Sequence, residues 1–342
     1  MRYFAFFLVF FLIGCSEKQK PKRFSGVTLQ NVFEDSVSIR AIAFLDSRTL
    51  AFAGSRGVYG TLDVPSGKVR TSIMEFEGTV PEFRAVAHTS SDFFMLSIAS
   101  PALLFKTGNG GKMELVYKEE GEHVFYDAMT FWNDEEGIAI GDGTDGCMAI
   151  LITRNGGQSW NKVPCNALAK LEGAIGAYAA SNTNIETQGD KTWIATSKEQ
   201  MLFSPDKGKT WELITTPIKR IDEYHGIYSM DFYDEDFGFA IGGDFSKPEI
   251  NAYNKMRTQD GGQRWELVAN DAPPGYKSCV QFVPNSGGKG LVAVGFTGID
   301  YSNDGGNTWV NLSEEGFYTI RFLNDSVAYA AGRNRIARLE FH

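Results

Sequence analysis

The sequence predicts an all-β chain folded as a seven-bladed β-propeller with four antiparallel strands to a blade. Three observations predict it. Glycine-tipped segments of one pattern recur along the chain. Short apolar runs recur with them, in units of about 40 to 54 residues, the period of propeller blades. Alternation and β-branching in those runs favour strands over helices.

The turns come first. Ser204-Pro-Asp206-Lys-Gly208-Lys-Thr210-Trp211 reads S-x-D-x-G-x-T-W, and Ser302-Asn-Asp304-Gly-Gly306-Asn-Thr308-Trp309 repeats it. Thr258-Gln-Asp260-Gly-Gly262-Gln-Arg264-Trp265 and Thr153-Arg-Asn155-Gly-Gly157-Gln-Ser159-Trp160 differ from it by two and three letters. A worn copy at Thr107-Gly-Asn109-Gly-Gly111-Lys-Met113 lacks the tryptophan. In such a turn the Asp or Asn oxygen accepts nearby backbone N–H groups, and glycine permits positive φ at the hairpin tip. The tryptophan is a large apolar wedge between neighbouring sheets. Asn155, Asp206, Asp260 and Asp304, with Trp160, Trp211, Trp265 and Trp309, are therefore expected to be structural rather than catalytic.

The strands follow. First strands begin at Ala41-Ile-Ala-Phe44, Ala85-Val-Ala-His88, Ala128-Met-Thr-Phe131, Met230-Asp-Phe232, Val280-Gln-Phe282 and Ile320-Arg-Phe322, with Gly176-Ala-Tyr-Ala-Ala180 as a weaker member. Second strands are small-residue runs such as Gly137-Ile-Ala-Ile-Gly141 and Leu291-Val-Ala-Val-Gly295, suited to a crowded axis. The last unit has room for three strands only. Gly26 to Phe33 reads as an outermost strand without a blade, so it is expected to complete the seventh blade and close the ring, which protects the sheet edges. Six blades with irregular ends is the alternative count.

The chain opens with Met1-Arg2, an apolar run from Tyr3 to Ile13, and Gly14-Cys15. That run is too short for a mature membrane span and fits a secretory signal. Leu12-Ile13-Gly14-Cys15 resembles a bacterial lipobox, which implies cleavage before Cys15 and lipid on its thiol; an ordinary signal with a chance cysteine is the alternative. The expected organisation is a signal peptide over 1–14, a Lys-rich tether over 15–24 and the propeller over 25–342. The expected location is the bacterial cell envelope, lipid-anchored, on the periplasmic or outer-membrane face.

Of the 342 residues 43% are hydrophobic and 22% charged, with 37 glycines, a globular composition. A net charge of −9 argues against a nucleic-acid partner. No Cys or His spacing suits a metal, no dinucleotide fingerprint occurs, and no cofactor is expected. Cys147 and Cys165 flank the Asn155-Gly-Gly hairpin and count as opposite residues on paired strands. A disulfide there suits an exported protein, with two buried thiols as the alternative. Cys279 is expected in the core.

The Asp turns, the blade count and the small-residue second strands resemble Asp-box (BNR) propellers, and among them the photosystem II assembly and stability factor family, over essentially all of the chain after Phe24. The resemblance implies a non-catalytic scaffold that binds a protein partner. Sialidases and some endoglycanases share Asp boxes, so a glycan hydrolase is the alternative. The arginine segment sialidases carry near the N-terminus has its nearest match in Glu82-Phe-Arg84-Ala-Val, which lacks the proline and falls in the second blade.

A propeller binds at the face where its innermost strands begin. Aligning the strand starts places Arg40, Arg84, Asp127, Tyr228, Ser278 and Tyr318 there. The loops after the second strands add Arg56, Asp142, Lys198, Asp244 and Arg333. The expected site is a mouth for an anionic or acidic-peptide ligand centred on Arg40, Arg84 and Arg333, since guanidinium forks suit carboxylates. The alternative is that each Arg pairs with Asp127 or Asp142 and only ties blades together. Tyr224, Tyr228, Phe296 and Tyr318 are aromatic residues near this face, read mainly as packing. Asp134-Glu135-Glu136 and Asp234-Glu235-Asp236 read as solvated turns, with a calcium site as the alternative. The protein is expected to be a monomer.

Overall fold

A computed structural model describes residues 22–143, 147–171 and 176–342; Cys15 and the signal segment lie outside the described residues. Seven four-stranded antiparallel blades stand around one axis. Blades two to six are separate sheets. Blade three, for example, comprises Tyr126–Phe131, Gly137–Gly141, Ala149–Thr153 and Asn161–Lys162. Blades seven and one are joined, because one strand, Val27–Asp46, serves both. Its first half pairs with Arg333–Phe341 as the outer strand of blade seven, and its second half pairs with Thr49–Gly54 as the inner strand of blade one. The ring is thus closed by the N-terminal strand, as its apolar pattern predicts.

The Asp turns lock each blade to the one before it. In each, the N–H of the glycine at the fifth position donates to the Ser or Thr that opens the turn: Gly157 to Thr153 at 3.0 Å, Gly208 to Ser204 at 2.7 Å, Gly262 to Thr258 at 2.9 Å and Gly306 to Ser302 at 3.0 Å. The Asp or Asn oxygen caps the return strand, as Asp304 does by accepting from Thr308 N at 2.9 Å and Thr308 Oγ1 at 2.6 Å. These carboxylates are occupied by the turn, which is the role the sequence assigns them. The same glycines lie against the preceding blade. A Cβ on Gly306 would stand 2.1 Å from the Phe239 ring, and one on Gly262 2.2 Å from Trp193, at φ of +86° and +78°. Glycine is required there both for its φ and for the approach.

Gly176–Ala180 is not the inner strand of blade four, contrary to its small-residue pattern. That strand is Ile185–Gln188, whose polar sequence lacks the aromatic ending of the others. Residues 178–184 instead cross the axis as a plug that touches every blade. Ala180 O accepts from Arg40 at 3.4 Å in blade one. Asn182 Nδ2 donates to Val86 O at 2.8 Å in blade two, and its Oδ1 accepts from Met129 N at 2.8 Å in blade three. Thr183 Oγ1 donates to Ser229 at 2.7 Å in blade five, and Ser181 Oγ donates to Ser278 O at 2.6 Å in blade six. Ser181 O accepts from Thr319 in blade seven, and Asn184 O from Ala195 N in blade four itself.

Cys147 and Cys165 form a disulfide with Cα atoms 5.6 Å apart. It lies past the end of the short ladder that pairs Leu151 with Lys162 and Ile152 with Asn161, rather than between paired strand residues. Cys279 is buried in the inner strand of blade six.

The oxygens once considered for calcium are engaged in part. Glu136 pairs with Lys207 at 2.6 Å and Arg154 at 2.7 Å, which holds its carboxyl down at about 2, and Asp134 accepts from Ser90 N at 2.8 Å. Among the described residues no group of three His, Cys, Asp or Glu could hold a metal ion, and no helix is long and apolar enough to cross a membrane.

The plug and the glycine turns make separable demands. Asn182→Ala should cost about 2–3 kcal/mol in urea denaturation, because it leaves a Met129 N–H unpaired and puts alanine at φ +61°. Gly306→Ala should cost about 2–4 kcal/mol, since the Phe239 ring must move.

Candidate functional site

The plug divides the axial space in two. Above it, on the face where the inner strands begin, lies an open cup of about 520 Å³. Ala177–Ala180 form its floor. Arg40, Arg84, Asp142 and Tyr228, all expected at the mouth, line it together with Tyr224, Phe296 and Tyr318. Tyr178, Phe125, Phe245 and Tyr276 also line it and were not anticipated. Tyr276 lies two positions before Ser278, where the strand alignment could have found it; Tyr178 was hidden by the misassigned inner strand. Arg56, Lys198 and Arg333 stay out of the lining. Arg56 is spent on Ser36 O at 2.7 Å, and Arg333 is exposed on the face beyond the cup. The site is thus centred on Arg40 and Arg84 without Arg333. Ser278 is buried and donates to Tyr318 O at 2.7 Å, tying blade six to blade seven.

The two arginines are not spent on the acidic residues beneath them. Among the described residues neither forms an ion pair with Asp127 or Asp142. Arg84 bonds Glu82, its neighbour on the same strand, through Nε at 3.1 Å and Nη2 at 2.9 Å. Arg40 lies over the Tyr318 ring at 4.1 Å, and its Nε has no hydrogen-bond partner. Burial lowers the Arg40 pKa, and the like charge of Arg84 adds to this.

Aromatic rings form the opposite wall. Tyr178 stacks on Tyr228 at 3.9 Å, and Tyr276 meets Tyr228 edge-on at 4.9 Å. Tyr228 is buried, and its hydroxyl donates to Tyr224 O at 2.7 Å, so it is packing, as expected. Tyr224, Phe245 and Phe296 are different: they remain 39%, 44% and 46% exposed around the rim, an apolar crescent beside the arginines.

Asp127 lies on the inner strand of blade three beneath the cup, and Asp142 on the loop that follows the second strand, in the cup lining. Asp127 is fully buried, and neither oxygen receives a hydrogen bond of good geometry. Asp142 accepts from Ala177 N at 3.2 Å, and its charge bears on Asp127. Two neighbouring carboxylates, one of them wholly buried, disfavour each other's ionised form. Burial raises Asp127 well above the carboxylate range, with the charge of Asp142 adding to it, and burial lifts Asp142 to about 6. Asp244 is likewise buried, with Oδ1 accepting from Ser246 and Oδ2 unpartnered. Below the plug a smaller cavity of about 230 Å³ holds Glu186, Asp231 and Arg321. Burial raises Glu186 to about 8 and Asp231 to about 7, with the charge of Asp231 adding to the Glu186 shift.

Known proteins are similar in fold. No protein-family model matches the chain, and no curated protein matches it. Among solved structures, YCF48 bound to D1 peptide superposes with a TM-score of 0.66 at 14% identity, over 94% of this chain and 98% of that one. YCF48 from Cyanidioschyzon merolae gives 0.63 at 14%, over 92% and 98%. The WD40 repeats of RRP9 give 0.66 at 9%, over 94% and 100%. The chain is a β-propeller like these.

Folding raises the Asp142 pKa, so its contribution to stability is full below about pH 4 and is lost as pH rises through about 6. Between pH 4 and pH 7, wild type should lose about 1–2 kcal/mol more than Asp142→Asn in urea denaturation, a figure discounted for the partial exposure of the rim.

Proposed function

We propose that the protein is a non-catalytic binding scaffold whose mouth captures an acidic segment of a protein partner. The observation that carries this reading is Arg40: a guanidinium in an open cup, stacked on Tyr318 and, among the described residues, in no ion pair with a carboxylate, with Arg84 beside it. The exposed crescent of Tyr224, Phe245 and Phe296 gives an apolar side chain of the same segment a place to anchor. The similar fold of YCF48 bound to D1 peptide and the resemblance of the Asp turns to assembly-factor propellers support a protein partner over a small metabolite.

The setting we propose is the bacterial cell envelope, with the monomer tethered through lipid on Cys15. The run from Tyr3 to Ile13 and the lipobox-like Leu12 to Cys15 support it.

A glycan hydrolase would need two carboxyls on either side of a glycosidic bond, about 5 Å or more apart. Asp127 is shut off from solvent, so it cannot reach one side of a bound glycan. The lower pair, Glu186 and Asp231, lies in a cavity too small for an oligosaccharide.

Peptides selected from a displayed random library should be enriched in Asp or Glu beside an aromatic or aliphatic residue. Changing Arg40 and Arg84 together to Gln should weaken the selected peptides by about 100-fold, given about 1.5–3 kcal/mol per charged hydrogen bond. Phe296→Ala should weaken them by about tenfold, with melting temperatures within a few degrees of wild type. Equal binding by the double variant, or selection without acidic enrichment, would sink the reading.

A further inference from the structure

We propose that the mouth takes up a proton together with its acidic ligand, so that capture is tight in mildly acidic surroundings and weak in neutral ones. The inference rests on the reading of the mouth as an acidic-peptide site, and on the geometry of Asp127 and Asp142.

Asp142 stands in the cup wall on the loop after Gly137–Gly141, so a carboxylate bound to Arg84 and Arg40 comes to rest near it. Asp127 beneath it has no access to water and no donor of good geometry. Two neighbouring carboxyls, one of them wholly buried without a donor, do not both ionise, so the pair holds at least one proton. Asp127, the more deeply buried, keeps that proton, and Asp142, at the cup surface, carries the charge that changes. With Asp142 ionised, an incoming carboxylate meets an anion in a partly desolvated cup. With Asp142 neutral, it meets only the two arginines. By linkage, a ligand that raises the proton affinity of Asp142 binds more tightly where Asp142 is protonated. One proton limits the dependence to a tenfold change per pH unit.

The groups facing Asp142 favour the same exchange. From the plug come the Ala177 N–H and the Tyr178 ring. From blades one and two come Arg40 and Arg84, with Glu82 on Arg84. On its outer side Asp142 also borders a rim pocket lined by Glu119, Glu120, Glu122, His123 and Lys162. Glu119 there is held by Lys162, Tyr117 and Tyr126, each within 2.6 Å. No cation stands in direct contact with Asp142 among the described residues, so protonation is the means at hand of removing its charge.

The test uses the folded chain and a rhodamine-labelled hexapeptide of five glutamates and one phenylalanine. Its affinity is measured from pH 5.5 to 7.5, above the glutamate range, so the probe's charge stays constant. The dissociation constant should rise about tenfold across that range for wild type. Asp142→Asn should flatten the profile to within about twofold and bind at pH 7.5 about as tightly as wild type does at pH 5.5. His123→Gln should keep the wild-type slope. Calorimetry of wild type at pH 6.5 in buffers of different ionisation enthalpy should show uptake of a substantial fraction of one proton per peptide. A flat wild-type profile without proton uptake overturns the proposal while leaving the mouth as a binding site. So does a slope that survives in Asp142→Asn or vanishes in His123→Gln. A probe that binds at no pH removes the mouth reading itself, and this proposal with it.

Discussion

Seven strands ranged around an axis cannot meet on it, and the polar groups they turn inward need partners. The rest of this molecule depends on how that constraint is met. The segment from Tyr178 to Asn184 crosses the axis and exchanges hydrogen bonds with all seven blades. The side chains of Ser181, Asn182 and Thr183 reach the inner strands of blades two, three, five and six, while backbone carbonyls of Ala180, Ser181 and Asn184 serve blades one, seven and four. A through-channel is thereby turned into two blind cavities. The upper has a floor of alanines and walls of tyrosine and arginine; the lower is small and holds a carboxylate pair.

Around the rim the problem is different, since wedge-shaped sheets must be kept from sliding. The Asp turns meet it through close contact rather than charge. The glycine at the fifth position of each turn carries no side chain because an aromatic ring or an aliphatic side chain of the preceding blade fills that space: Phe94 at Gly157, Ile152 at Gly208, Trp193 at Gly262 and Phe239 at Gly306. The carboxylate beside it is consumed in holding the turn. Conspicuous aspartates thus stabilise the scaffold, and the residues that line the open cup are less conspicuous ones near the strand starts.

The electrostatics of the mouth invert those of the chain. A protein of net charge −9 presents two arginines in its open cup and keeps Asp127 wholly buried beneath it. Burial, more than any partner, raises the pKa of Asp127 and of Asp142. Among the described residues neither forms an ion pair, so burial disfavours their charged forms.

Much of the fold was legible in the chain. Turn chemistry and strand alternation are local, so the Asp turns, six of the seven inner strands and the strand that closes the ring could be read directly. The strand starts placed Arg40, Arg84 and Tyr228 on one face, and the loops after the second strands added Asp142. What only the tertiary structure decided was which of those residues share a cavity. Arg333 and Arg56 stand at matching positions yet stay out of the cup, and Asp127 lies beneath it. Tyr178 joins it from a segment whose small residues imitate a strand. Local pattern specifies a blade, because a blade is built from neighbours in sequence. The axis is made from all seven at once, and its occupant is chosen by hydrogen-bond partners up to 140 residues away.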